Sequence, residues 1–160
     1  MPELFKIAAA FRTAIEEAVR AGEIREMHTF PCGCCTYASD LLQRYLIEQY
    51  DFFTWYMSGR YGNGWKGESH AWLETDDGVV IDITGDQYAN KRLKFTVPVY
   101  VGSRLDGFHD KFKLDKPVAY SKTEPVAYSK TEDPFDRNRE FDRRYETVML
   151  HLKKGLYDRE

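Results

Sequence analysis

The stretch SHAWLETDDGVVIDIT, residues Ser69–Thr84, holds two short alternating runs separated by Asp76, Asp77 and Gly78. It can pair with itself in two registers. A two-residue turn at Asp77 and Gly78 pairs Asp76 with Val79; it sets Leu73 against Asp82 and Trp72 against Ile83, which mixes polar and apolar residues on each face. A three-residue loop, Asp76–Gly78 with the glycine left-handed, pairs Thr75 with Val79 instead. Leu73 then faces Ile81, Ala71 faces Ile83, and one side of the hairpin becomes continuously apolar. A one-residue slip reverses every side chain, so burial selects this second register. The other side carries His70, Trp72, Asp82 and Thr84. His70 and Asp82 become diagonal neighbours, ~7–8 Å apart along the backbone and within side-chain reach.

Upstream, Ala38, Leu41, Leu42, Tyr45 and Leu46 recur at helical spacing and predict a helix from about Cys35 to Gln49 with one buried face. Extended back by a turn, the stripe reaches Cys34 and Cys35, which places a thiol where a helix start meets the core. Free N–H groups at a helix N-terminus lower a thiol's pKa, and an adjacent imidazolium lowers it further. A histidine beside such a thiol can accept its proton and return it to a leaving group, while a carboxylate orients the ring and stabilises the imidazolium. The Cys35 backbone N–H offers one donor to an oxyanion.

The segments FPCGCCTYASDLL, SHAWLETDDGVVIDITGDQY and PVYVGSRLDGFHDKF resemble the transglutaminase-like branch of the papain-like cysteine protease superfamily, among its small bacterial members of undefined function. The resemblance spans roughly residues 28–112. It implies an α+β fold with a nucleophile helix packed on a small antiparallel sheet, and a triad of Cys35, His70 and Asp82. Cys35 is the implied nucleophile because it matches the last residue of the Gly-x-Cys motif. The implied activity is hydrolysis or acyl transfer on a peptide, isopeptide or glutamine amide, through a thioester and without a cofactor. No glutamine upstream of Cys35 matches the oxyanion donor of papain relatives, and Cys32 and Cys34 are additions to the pattern.

The flanking sequence predicts a single domain over residues 1–160. Leu4, Ile7, Phe11, Ile15 and Val19 mark a first helix over 3–21. After Phe52 the pattern turns aromatic and strand-like, then meets the glycine-rich run Ser58–Gly67, read as a surface loop. A third strand is expected at about 93–101, with Pro98 placing it at an edge or bulge. PVAYSKTE occurs twice in succession, at 117–124 and 125–132, and reads as a duplicated surface loop. A covering helix at about 134–154 buries Phe141, Tyr145, Val148, Met149 and Leu152.

Composition narrows the partners. The net charge of -3 and the absence of a Lys/Arg run argue against nucleic acid. No stretch approaches the ~18 apolar residues of a membrane span. Three crowded cysteines without a secretion signal point to reduced thiols in a cytoplasm. A protein or peptide substrate fits these limits. Two other readings carry different chemistry. His28, Cys32, Cys34 and Cys35 supply four metal-ligand types in eight positions, although adjacent cysteines chelate a tetrahedral ion poorly. An inactive binding module would instead use the aromatics around Trp55–Trp65.

Overall fold

The computed structural model describes residues 2–62, 68–126 and 133–158. They form an α+β fold of three α-helices and a six-stranded antiparallel sheet. The elements are α1 (Pro2–Arg20), α2 (Cys35–Tyr50), β1 (Trp55–Tyr61), β2 (Glu68–Glu74), β3 (Val79–Asp82), β4 (Tyr100–Ser103), β5 (Lys113–Leu114), β6 (Val118–Ala119) and α3 (Pro134–Tyr157). The strand order is β4-β3-β2-β1-β5, and β6 also pairs with β1.

The central hairpin adopts the three-residue loop. Leu73 pairs with Ile81 and Glu74 with Val80, and the Thr75 N–H donates to the Val79 carbonyl at 2.9 Å. Gly78 takes φ +83°, a left-handed value that costs a glycine nothing. Ala71, Leu73, Ile81 and Ile83 join one large core with Ala38, Leu41, Leu42 and Leu46 of α2 and Phe11 and Ile15 of α1. Along α3, Phe141, Tyr145, Val148 and Leu152 close that core, with Met149 half-buried beside them.

The opposite face of the sheet is not left to water. Met57, Trp72, Val80, Tyr88, Phe108 and Phe112 form a second, aromatic core there. Both faces of β2 and β3 are therefore buried, and His70 and Asp82 lie inside the protein.

Two expected elements differ. The glycine-rich run does not begin as a loop, because Ser58–Tyr61 continue β1. Gly59 pairs with His70 on one side and Leu114 on the other, and a Cβ there would meet the Lys113 carbonyl oxygen at 2.8 Å. This glycine permits close strand approach; it does not mark a turn. Residues 63–67 of the run lie outside the described residues. The third strand is shorter than expected and spans only Tyr100–Ser103, at the edge of the sheet beside β3. Pro98 has no N–H to give to a ladder, and its carbonyl accepts from Arg12 at 2.8 Å.

Arg12 fastens the segment after β3 to α1. Its guanidinium donates to the carbonyls of Ile83 and Pro98 and to both carboxylate oxygens of Asp86, at 2.6–3.0 Å. The short 3-10 turn Gly85–Tyr88 is held in place by these bonds.

In the duplicated segment, Val118 and Ala119 of the first copy form β6, paired with Tyr56 and Trp55. Of the second copy, Pro125 and Val126 are described and residues 127–132 are not.

Leu73 is fully buried at the centre of the hairpin's apolar side. Leu73→Ala is expected to lower the unfolding free energy by about 2–5 kcal/mol in chemical denaturation. Leu73→Asp sets an unpaired carboxylate in the same place and should abolish the cooperative melt followed by circular dichroism. A Leu73→Asp protein that melts normally would show that this side chain does not face the core.

Candidate active site

Cys35 is the first residue of α2, His70 lies in β2 and Asp82 ends β3. Asp82 ends the strand by its own hydrogen bond: its Oδ1 accepts the Thr84 N–H at 2.9 Å, which turns the chain into Gly85–Tyr88. That turn carries Gln87 toward the same site.

The three residues of the expected triad are brought together. His70 Nε2 lies 2.7 Å from Asp82 Oδ2, with both side chains fully buried. With Nε2–H committed to the carboxylate, Nδ1 is left with its lone pair. The amide nitrogen of Gln87 stands 2.6 Å from that atom, and the Gln87 carbonyl oxygen accepts the Gly33 N–H at 3.2 Å. The Cys35 thiol shares the site with the ring, and His70, the Gln87 side chain and the Ala71 backbone are the groups that act on it. Tyr88, Phe108, Phe112 and Trp72 surround the imidazole, with ring centroids 5.2–5.8 Å away.

These contacts separate the cysteines chemically. Burial is the strongest influence on Cys35 and opposes ionisation, but the hydrogen bond and charge of His70, with Gln87 and Ala71, outweigh it and hold the thiol below its ordinary pKa. For His70, burial disfavours the charged ring, and the Asp82 charge and hydrogen bond overcome it to push the imidazole up to about 9. Asp82 is held well below the carboxylate range: burial works against the charge, while His70 and His109 more than compensate. Cys34, one residue away, is buried without such partners and is pushed up to about 11, chiefly by that burial. Its Sγ donates to the Cys32 carbonyl at 3.3 Å. Cys32 is exposed.

The four residues His28, Cys32, Cys34 and Cys35 do not converge. His28 bonds the Arg25 carbonyl through Nδ1, Cys32 faces solvent, Cys34 points at the backbone and Cys35 turns to His70. Among the described residues, the His, Cys, Asp and Glu donors grouped most tightly are those of His70, Asp82 and His109, all within 4.8 Å of one another. Two hydrogen bonds of 2.7 Å onto Asp82 Oδ2 already join them. Of the aromatics expected on a recognition surface, Trp55 is half-buried in β1 and donates to Asp76 at 2.8 Å, and Trp65 lies outside the described residues.

Cys35 and His70 open onto a small cleft of about 130 Å³, walled by Thr36, Ser58, Arg60, Ser69 and Asp115. A larger groove of about 610 Å³ lies elsewhere, between α1, the end of α2 and the hairpin loop. No helix of the described residues is long and apolar enough to cross a membrane. The chain matches no family model, no curated protein and no solved structure.

Gln87, His109 and Asp106 are polar residues of this site that pattern reading did not single out. A signal was present for two of them, since Asp106 and His109 stand three apart in SRLDGFHDKF, the spacing of a carboxylate that caps a short turn.

The downward shift of Cys35 has a definite sign in a pH profile. The wild-type thiol should be alkylated by iodoacetamide at pH 6.5 faster than a free thiol, since a lowered pKa raises the thiolate fraction at that pH. His70→Ala removes the counter-charge and leaves the burial, so half-maximal reactivity should move up past the ordinary thiol range. Asp82→Asn should give an intermediate shift with the circular dichroism unchanged. Peptide mass mapping assigns the label, and equal labelling of Cys34 and Cys35 at pH 6.5 would contradict the assignment.

Proposed function

We propose that this chain is a thiol hydrolase or acyltransferase acting on amides, with a papain-like, transglutaminase-like arrangement of Cys35, His70 and Asp82. The observation that carries this reading is the unbroken run from a thiol of lowered pKa, through a buried imidazole, to a carboxylate 2.7 Å beyond it. A histidine kept only for packing would not need a buried carboxylate on one nitrogen and an amide on the other.

In this reading the Cys35 Sγ attacks the amide carbon, and the thiol proton passes to His70 Nδ1. The carbonyl π-pair moves to oxygen and gives a tetrahedral oxyanion. In this reading the Cys35 N–H at the start of α2 is one donor to it, and the Gln87 amide, released from His70 Nδ1 once that atom takes the proton, is the second. When the oxyanion collapses, the C–N bond breaks and the amine leaves with the proton from His70. Water or a second amine then attacks the thioester, again giving its proton to His70 Nδ1, which returns it to Sγ. Asp82 keeps Nε2 protonated throughout, so Nδ1 is always the atom that exchanges. The small polar cleft suits a peptide backbone or an extended amide side chain better than a bulky apolar acyl group.

A binding module on the same fold is the competing reading, and the groove of about 610 Å³ lined by Leu4, Ile7, Leu46, Phe52 and Phe53 favours it. The two part on thiol chemistry. Incubation with a panel of peptide, isopeptide and glutamine-amide donors, with and without amines, should give released amine and an acyl adduct on Cys35 by mass spectrometry. Cys35→Ala should lower turnover by about a thousandfold or more. Cys32→Ala and Cys34→Ala should keep most of it. Equal loss in all three variants, or an inert wild-type Cys35, would remove the catalytic reading.

A further inference from the structure

The chemistry proposed above uses one face of the Asp82 carboxylate and leaves a second buried histidine unassigned. His109 is completely buried in the 3-10 turn His109–Lys111, and its Nε2 lies 2.7 Å from Asp82 Oδ2, the same oxygen that His70 occupies. Its other nitrogen, Nδ1, lies 2.6 Å from Asp106 Oδ2. Each ring nitrogen thus faces a carboxylate oxygen. Asp106 is itself fixed, because its Oδ1 accepts the backbone N–H groups of Phe108 and His109 at 2.9 and 2.8 Å. Tyr100 stacks on the His109 ring at 5.3 Å and 22°, and Trp72 meets it edge-on at 5.0 Å, so the ring has no freedom to turn away.

We infer that His109, clamped by Asp106, is a positioning residue that holds the Asp82 carboxylate in place and weakens its hold on the proton of His70. The inference rests on the proposed role of His70 as the group that takes up and releases the Cys35 proton. Two N–H donors on one oxygen compete, since each withdraws electron density that the other would use. A carboxylate serving His70 alone would bind the imidazolium more firmly still. His109 also fixes Asp82 Oδ2 from a second side, whether or not His70 Nδ1 carries the exchanging proton. The groups facing the two rings are Asp82, Cys35, Gln87 and Tyr88 around His70, and Asp82, Asp106 and Tyr100 around His109.

The test reads the His70 proton directly. The full chain has four histidines, so each ring signal can be assigned by single substitution and followed by NMR across pH. In a Cys35→Ala background, which removes the coupled thiol, His109→Phe fills the space and deletes the donor. The His70 midpoint should rise by about one unit, a tenfold gain in proton affinity. His109→Gln leaves an amide N–H within reach of Asp82 and should raise the midpoint by about a third as much. A folded His109→Phe chain with an unchanged or lowered midpoint overturns the inference. Should His109→Phe fail to fold, an unchanged midpoint in His109→Gln overturns it equally. The iodoacetamide profile of wild-type Cys35 is recorded alongside. An ordinary thiol profile there would refute the catalytic reading while leaving the His109 result to stand or fall on the NMR.

Discussion

The Asp82 carboxylate is buried and takes three N–H groups: His70 and His109 on Oδ2 and the Thr84 backbone on Oδ1. Moving a carboxylate out of water costs several kcal/mol even after relaxation, so the surrounding structure has to supply these donors in good geometry. Each comes from a different place. His70 is on β2, Thr84 opens the turn that carries Gln87, and His109 lies beyond β4. The carboxylate therefore ties three separate segments together. Tyr88, Phe108 and Phe112 then exclude water from the assembly and form the core of the second face.

Much of this arrangement follows from one hairpin. Alternation from Ala71 to Ile83 leaves only one register that buries an apolar side, and that register places His70 and Asp82 on the same face before any tertiary contact is considered. The stripe Ala38–Leu46 places the thiol in the same way, because a helix that buries this face against β2 brings its N-terminus to a predictable end of the sheet. Periodicity is informative here because each element is long enough to show its repeat and has one face that must be buried.

The remaining parts come from segments with no period. Gln87 reaches His70 from a four-residue turn held by Arg12, a residue 71 positions upstream of the carbonyl it meets at Ile83. Asp106 and His109 lie in a short loop whose only local mark is their spacing. The aromatics were abundant in the composition, but nothing local distinguishes those that pack on the sheet from those that line a groove. Gly59 is the sharpest case. A glycine read as a loop residue lies in mid-strand, because the backbone it meets belongs to residue 113.

The duplicated segment contains an internal comparison that few proteins offer. Val118 and Val126 stand at equivalent places in identical octapeptides, so their short-range propensities are the same. Val118 lies in a strand against β1, whereas Val126 falls in a bend and packs against the helical core. The edge of β1 beyond Tyr56 has room for one partner, and the copy nearer in the chain to β5 occupies it. The strand at this edge is thus a property of the vacancy and of chain order; the eight letters alone do not encode it.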